Sequence, residues 1–161
     1  MNNSNNKYVI YDEVYFTDIE KQIISAFQDG SSLLPNIDIP WMIKCFMKST
    51  HRKKVEQGHP YWIGKIGAVV IRDLLQNVEY PKSDKDKYYY GNKLYWIAKV
   101  YNYISYRYDI PCSRLIDLIP IEDMLKQYVT MHETGLEHTA EHLYEVFIKG
   151  QVRHSKASSQ G

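Results

Sequence analysis

The longest hydrophobic pattern in the chain runs from Gly91 to Asp109 and predicts a helix that is apolar or aromatic on nearly every side. Residues spaced three and four positions apart fall on one face of a helix. Here they are Leu94, Ile97, Ala98, Tyr101, Ile104 and Tyr108, with Trp96, Val100 and Tyr103 on the adjoining face. A helix with so little polar surface has neighbours on several sides. We therefore predict that residues 91–109 form the central helix around which the others pack.

Capping residues, prolines and glycines divide the rest of the chain into further helices. A capping box at Thr17–Glu20 opens the first, and a proline precedes or begins several of the others. The predicted helices cover residues 17–28, 41–57, 61–78, 113–118, 120–131 and 136–149. Residues 8–16 have no second strand to pair with and are expected to lie as an extended arm on the helices. The pattern predicts an all-α fold, a single compact bundle of six or seven helices.

Two glycines, Gly64 and Gly67, lie inside the helix predicted over residues 61–78. Each costs up to about 1 kcal/mol in a helix interior relative to alanine. A glycine leaves no side chain in the way of a neighbour. The pair therefore favours a close crossing of another helix at this point.

The domain organisation follows from the same pattern. We predict one helical domain over residues 1–161, with disordered ends at 1–7 and 151–161. Residues 79–90 mix charges, a proline and three tyrosines, and they are the one candidate site for a subdivision.

Composition narrows the class of protein. Hydrophobic residues make up 44% and charged residues 24% of the 161 residues, which is typical of a globular chain. No signal peptide and no apolar run of about 20 residues is present, so we expect a soluble protein without a membrane span. Cys45 and Cys112 belong to no CxxC pair and are expected to be reduced core thiols in the cytoplasm.

Tyrosine is unusually frequent, at 15 of 161 residues. Part of this excess can come from an AT-rich genome, and part from a surface that binds a protein, since aromatic residues are enriched at interfaces. The partner-binding residues that we predict are the tyrosine run and the acidic face of the last helix: Tyr88, Tyr89, Tyr90, Glu137, Glu141 and Glu145.

Charge is unevenly distributed although the net charge is only +1. Residues 40–65 carry six Lys and Arg against one Glu, whereas residues 111–150 carry three against seven Asp and Glu. Such polarity suits electrostatically steered binding to a protein, and it also suits a self-complementary homodimer. The basic segment could also contact phosphates, so a nucleic-acid-binding regulator is the alternative function. The residues that would serve it are Lys44, Lys48, Arg52, Lys53 and Lys54.

Three histidines are the candidate metal ligands. His138 and His142 are one helical turn apart, and His132 precedes them. The zincin pattern places Glu directly after the first histidine, where this chain has Thr139. A metal-dependent enzyme at these residues is the second alternative function. We find no P-loop, dinucleotide fingerprint or nucleophile elbow, and predict neither a cofactor nor an enzyme.

The stretch from Leu94 to Phe147 carries a spaced pattern of aromatic and polar residues. The matching residues are Trp96, Ile97, Tyr101, Tyr103, Ser113, Pro120, Glu122, Met124, Tyr128 and His132. In this pattern it resembles small uncharacterised helical bacterial proteins found near toxin-like genes, and it departs from them at Glu133, where they have threonine. The resemblance implies an antitoxin or accessory binding role. Our main hypothesis is thus a non-enzymatic protein that binds and restrains a protein partner, as an antitoxin, an immunity protein or a phage-type anti-defence inhibitor would.

Overall fold

The computed structural model describes residues 10–151, and within them the chain forms ten α-helices and no β-strand. The predicted all-α class is confirmed. The helices are α1 (Phe16–Asp29), α2 (Ile39–Met47), α3 (Thr50–Glu56), α4 (Pro60–Ile63), α5 (Gly67–Leu75), α6 (Lys87–Tyr90), α7 (Lys93–Tyr108), α8 (Cys112–Leu118), α9 (Ile121–Met131) and α10 (Leu136–Leu143). Single 3₁₀ turns at Glu13–Tyr15 and Gly30–Leu33 flank α1, and a π-helical segment, Tyr144–Lys149, continues α10.

Helix α7 is the central helix, as its pattern predicts. It packs against α1, α6, α8, α9 and α10. Its buried residues are Leu94, Ile97, Ala98, Val100, Tyr101, Asn102, Ile104 and Ser105. Only Tyr95 and Arg107 along α7 are exposed to solvent. The helix is therefore enclosed on several sides, and the main hydrophobic core forms around it.

The number of helices exceeds the predicted six or seven because two predicted helices are each interrupted and a further short helix, α6, forms within residues 79–90. Residues 41–57 break at Ser49, whose hydroxyl donates to the carbonyl of Phe46 at 2.7 Å and accepts from the amide of Arg52 at 3.0 Å. This caps α3 as a separate helix. Residues 61–78 break between α4 and α5, where the side-chain amide of Gln22 donates to the carbonyls of Trp62 and Lys65, each at 2.8 Å. Side chains thus satisfy backbone groups that the breaks expose.

The predicted capping box at Thr17–Glu20 is wrong. The carboxylate of Asp12 accepts from the amide of Val14 at 3.0 Å and caps a 3₁₀ turn, so that α1 already begins at Phe16. Thr17 is consequently inside the helix. The predicted disorder at residues 1–7 lies outside the described residues, as does that of the tail, except that Gln151 still belongs to the last helical segment.

Residues 79–90 are hydrogen-bonded to the loop that precedes α2. The amide of Asp38 donates to the carbonyl of Pro81 at 2.9 Å, and that of Ser83 to the carbonyl of Asn36 at 2.8 Å. The Tyr80 hydroxyl donates to the carbonyl of Pro35 at 2.9 Å. The main core contains residues from both sides of this stretch. These bonds fix the position of α6, which follows directly.

None of the helices within residues 10–151 combines the length and the apolar character needed to cross a membrane.

Gly67 marks a close crossing of α1 and α5, as predicted, whereas Gly64 does not. A Cβ atom at Gly67 would overlap the backbone carbonyl oxygen of Gln22 and stand 2.5 Å from the backbone nitrogen of Ala26. At Gly64 the nearest atom would be 3.6 Å away, which is ordinary contact.

We expect Gly67→Ala to lower the free energy of unfolding by about 2 kcal/mol or more, because α1 and α5 must move apart and backbone cannot yield as a side chain can. Gly64→Ala is the matched control and should change stability by less than about 1 kcal/mol. Urea unfolding followed by circular dichroism measures both. Equal effects of the two substitutions would contradict the close crossing.

Candidate binding surfaces

Two of the three tyrosines in the run 88–90 are presented to solvent by a rigid turn. The carboxylate of Asp86 accepts from the amides of Tyr88 and Tyr89 at 3.0 and 3.2 Å and caps α6. Tyr88 is 79% exposed and Tyr89 63%, whereas Tyr90 is only 7% exposed. The prediction that Tyr90 contacts a partner is therefore wrong, because its ring is packed into the core and anchors α6.

A groove of about 520 Å³ lies between α7 and the α9–α10 turn, and aromatic rings line it. The Trp96 and Tyr128 rings meet edge to face with centroids 5.5 Å apart, and Tyr128 stacks on His132 at 4.3 Å. The imidazole Nδ1 of His132 lies 2.7 Å from the carbonyl of Tyr128. A carbonyl only accepts, so Nδ1 carries the proton and Nε2 is the remaining polar atom of the ring.

The groove adjoins the surface around Tyr88, and Tyr89 is the next residue on the same short helix. Asn92 lines both the groove and a smaller one of about 300 Å³ that is bounded by Tyr88 and Gly91. We call this surface the aromatic face and define it by Tyr88, Tyr89, Tyr95, Trp96, Tyr128 and His132. Lysine ammonium groups lie over several of its rings. The pairs are Lys85 with Tyr89, Lys87 with Tyr88, Lys93 with Tyr128, and Lys99 with Tyr95.

The predicted acidic partner-binding residues are exposed but are engaged within the chain. Arg107 of α7 reaches Glu137 at 3.2 Å and Glu141 at 3.8 Å. Glu145 pairs with Lys149 at 3.2 Å, one helical turn away. Exposed ion pairs of this kind contribute little to stability. Their contact with a partner stays a prediction.

The predicted nucleic-acid-binding residues do not form one surface. Arg52 has no exposed surface, so the prediction that it contacts nucleic acid is wrong. Lys48 pairs with Asp117 at 2.6 Å. Lys44 lines a groove of about 440 Å³ that also contains Asp38, Asp117 and Glu122. Only Lys53 and Lys54 remain in surroundings that favour a phosphate.

Arg52 belongs instead to a buried polar cluster with Glu56, Asn102 and Tyr11. Its Nε donates to Glu56 Oε2 at 3.0 Å, and one terminal nitrogen donates to Asn102 Oδ1 at 3.0 Å. The Tyr11 hydroxyl donates to the same Asn102 oxygen at 3.1 Å. Burial raises the pKa of Tyr11 above its ordinary value, so the phenol stays protonated and remains a donor. Ile10 and Tyr11 are buried here. The extended arm predicted over residues 8–16 is wrong from Glu13 onward, where a 3₁₀ turn leads directly into α1.

The cluster also involves α8, through the backbone amide of Cys112, which donates to Glu56 Oε2 at 2.9 Å. Burial raises the pKa of the Cys112 thiol to about 12, so it stays a neutral core thiol as predicted. Cys45 is only partly buried, and both cysteines are free. The second Arg52 terminal nitrogen and the Asn102 amide nitrogen are buried without a hydrogen-bond partner among the described residues. Such donors cost free energy, which limits the net stabilisation by the cluster.

Arg52→Met should lower the free energy of unfolding by about 3–5 kcal/mol, because it removes the cation that donates to the buried Glu56 carboxylate. The double variant Arg52→Met/Glu56→Met should lose less than the sum of the two single variants, since it leaves no uncompensated charge. Lys48→Met breaks an exposed pair and should cost less than about 1 kcal/mol. Urea unfolding of the wild type, of Arg52→Met, Glu56→Met and their double variant, and of Lys48→Met measures these differences. If Arg52→Met lowers the free energy of unfolding no more than Lys48→Met does, the burial of the Arg52–Glu56 ion pair is contradicted.

His51 is a buried neutral imidazole beside several cations. Burial, together with the charges of Arg52, Lys65 and Lys54, lowers its pKa from 6.5 to about 4. The ring nitrogen Nε2 lies 3.2 Å from the side-chain oxygen of Gln22. Between these two pKa values the unfolded chain binds a proton that the folded chain does not.

Stability should therefore fall as the pH drops from about 6.5 to about 4, by up to about 1.4 kcal/mol per pH unit and about 2–3 kcal/mol in total from this residue. His51→Gln keeps a donor toward Gln22 but has no titratable group, so it should lose correspondingly less. Unfolding free energies of both proteins at pH 7 and pH 4.5 provide the comparison. An identical loss in the two proteins would mean that His51 is not responsible.

The histidines proposed as metal ligands, His132, His138 and His142, are all exposed. No three His, Cys, Asp or Glu side chains within residues 10–151 are grouped so that they could hold a metal ion. Of the three, only His132 lies in the groove of the aromatic face. Its contacts there are with aromatic rings.

Comparison with protein-family models, with curated proteins and with solved structures finds no match to this chain. The resemblance of residues 94–147 to helical proteins near toxin-like genes thus stays a prediction. Three residues of that motif, Trp96, Tyr128 and His132, meet in the groove.

Proposed function

We propose that this chain is a non-enzymatic binding protein that engages and restrains a protein partner through its aromatic face. The observation that carries the proposal is the exposure of Tyr88 and Tyr89 on a turn that is fixed at both ends. Tyrosine offers a large contact area at low cost in conformational entropy, which is why it is frequent in binding surfaces. An antitoxin, an immunity protein or an anti-defence inhibitor would use such a surface.

The fixed turn supports the proposal because preorganisation reduces the cost of binding. Asp86 caps α6 at its start, and Tyr90 anchors it in the core at its end. The two exposed rings are therefore held in place before a partner arrives. Exposed tyrosines on a mobile segment would have to be ordered first.

The neighbouring groove supports it as well. Hot spots of interfaces are enriched in Trp, Tyr and Arg side chains that lie in well-packed pockets. The groove beside Trp96 and Tyr128 has a volume of about 520 Å³, which is enough for a large side chain of a partner. Lysines around the face favour a partner with acidic residues at the rim of its interface.

The test uses affinity capture from the native host, followed by reconstitution of the captured protein with the purified chain. Tyr88→Ala should weaken the reconstituted complex by about 30-fold, the effect of losing a hot spot of about 2 kcal/mol. Tyr61→Ala removes an equally exposed tyrosine outside the aromatic face and should change the affinity by less than about twofold. Titration calorimetry measures both.

Two outcomes contradict the proposal. One is that no protein is captured in stoichiometric amount and the chain alone sediments as a monomer at every concentration tested. The other is that Tyr61→Ala weakens the complex as much as Tyr88→Ala does. A concentration-dependent dimer that Tyr88→Ala dissociates would identify the partner as a second copy of this chain.

A further inference from the structure

A second surface combines lysines with aromatic rings around α4. We call it the basic aromatic patch and define it by Lys54, Tyr61, Trp62 and Lys65, together with the exposed Lys53, which precedes Lys54 on α3. The Lys54 ammonium lies 4.4 Å from the centre of the Trp62 ring, and the Lys65 ammonium lies 4.7 Å from that of Tyr61 and 5.1 Å from that of Trp62. The Tyr61 ring is 71% exposed and stands edge-on to Trp62 at 5.3 Å.

The positive charge of this patch is not neutralised by neighbours. No carboxylate within residues 10–151 pairs with Lys53, Lys54 or Lys65. Glu56, the one acidic residue between positions 40 and 65, is buried and accepts from Arg52. Burial is the main cause of the lowered pKa of His51, and the charges of Arg52, Lys65 and Lys54 lower it further.

Trp62, in the aromatic part of the patch, is held in place from two sides. Its backbone carbonyl accepts a hydrogen bond from the Gln22 side-chain amide at 2.8 Å, and its ring packs edge to face with His51 at 5.4 Å. Trp62 is therefore anchored to both α1 and α3. Tyr61 is the residue before Trp62 and belongs to the same short helix, α4. Lys65 covers part of the Tyr61 ring, yet the high exposure of this residue leaves room for a planar group.

We propose that the basic aromatic patch binds single-stranded nucleic acid, with a base stacked on Tyr61 and adjacent phosphates on Lys53, Lys54 and Lys65. Proteins that bind single strands combine lysines that follow the backbone with aromatic rings on which bases stack. An acidic protein would be attracted by the lysines but would have no need of a fixed, exposed aromatic ring. This function is separate from that of the aromatic face and depends on different residues.

The test is fluorescence anisotropy with a labelled oligothymidylate of about twelve nucleotides, a length that spans one such site. The wild-type chain should bind at low salt. With about three phosphates contacted, the affinity should fall about 20-fold between about 50 mM and about 200 mM salt. Lys54→Gln/Lys65→Gln and Tyr61→Ala should each weaken binding by about tenfold or more, while circular dichroism and urea midpoints stay unchanged.

The matched control is Lys82→Gln/Lys85→Gln, which removes the same charge from lysines that also lie over tyrosine rings. This control and Tyr88→Ala should bind the oligonucleotide as the wild type does. Absence of binding at low salt overturns the proposal, and so does an equal loss in the control. Binding of a polyglutamate peptide that depends on Lys54 and Lys65 but not on Tyr61 would overturn it in favour of an acidic protein.

Discussion

The buried guanidinium of Arg52 is the constraint on which the arrangement of the bundle depends. A buried charge needs partners, and here they come from distant parts of the chain. Glu56 lies one turn further along α3, Asn102 is on α7, and Asn102 in turn accepts from Tyr11 near the amino end. Glu56 also accepts from the first amide of α8. The Arg52 charge is therefore compensated when α3, α7, α8 and the segment at Tyr11 are packed together in this arrangement. Buried ionic clusters can favour a single packing of the segments that they join.

This packing sets where the proposed binding surfaces lie. With its inner side committed to the core, α7 turns Tyr95 outward beside the groove, and α6 is anchored to the core by Tyr90. The α3–α4 region, which supplies Arg52 to the interior, presents Tyr61 on its exterior, beside the partly buried Lys54 and Trp62. One side of α3 thus organises the bundle, and the other carries the basic aromatic patch. The two proposed binding functions rest on the same scaffold but do not share residues.

Periodicity predicted the central helix well, because nine apolar or aromatic positions repeat over four turns and leave one interpretation. It failed at the ends and breaks of other helices. Ser49 is a good capping residue inside a predicted helix, and that signal could have revealed the start of α3. The bonds that hold the break before α5 come from Gln22, which is more than 40 residues away from Lys65. The local signal for this break is the glycine pair, since Gly64 ends α4 and Gly67 begins α5. Tyr90 differs from Tyr88 and Tyr89 only in its direction relative to α7, which a run of identical residues does not encode. The burial of Arg52 was equally hidden, since a basic run usually predicts a solvated face.

The groove shows the same limit. Tyr128 and His132 are one turn apart on one helix and predict a shared face, but Trp96 joins them from another helix.

The central claim is that a rigid bundle acts through preformed aromatic residues on its exterior. Hydrogen–deuterium exchange of the chain, alone and with its reconstituted protein partner, tests this most directly. We predict slow exchange in α7 in both states and added protection on binding at residues 86–96 and 128–136. Fast exchange in α7 of the free chain, or added protection confined to other segments, would contradict the account.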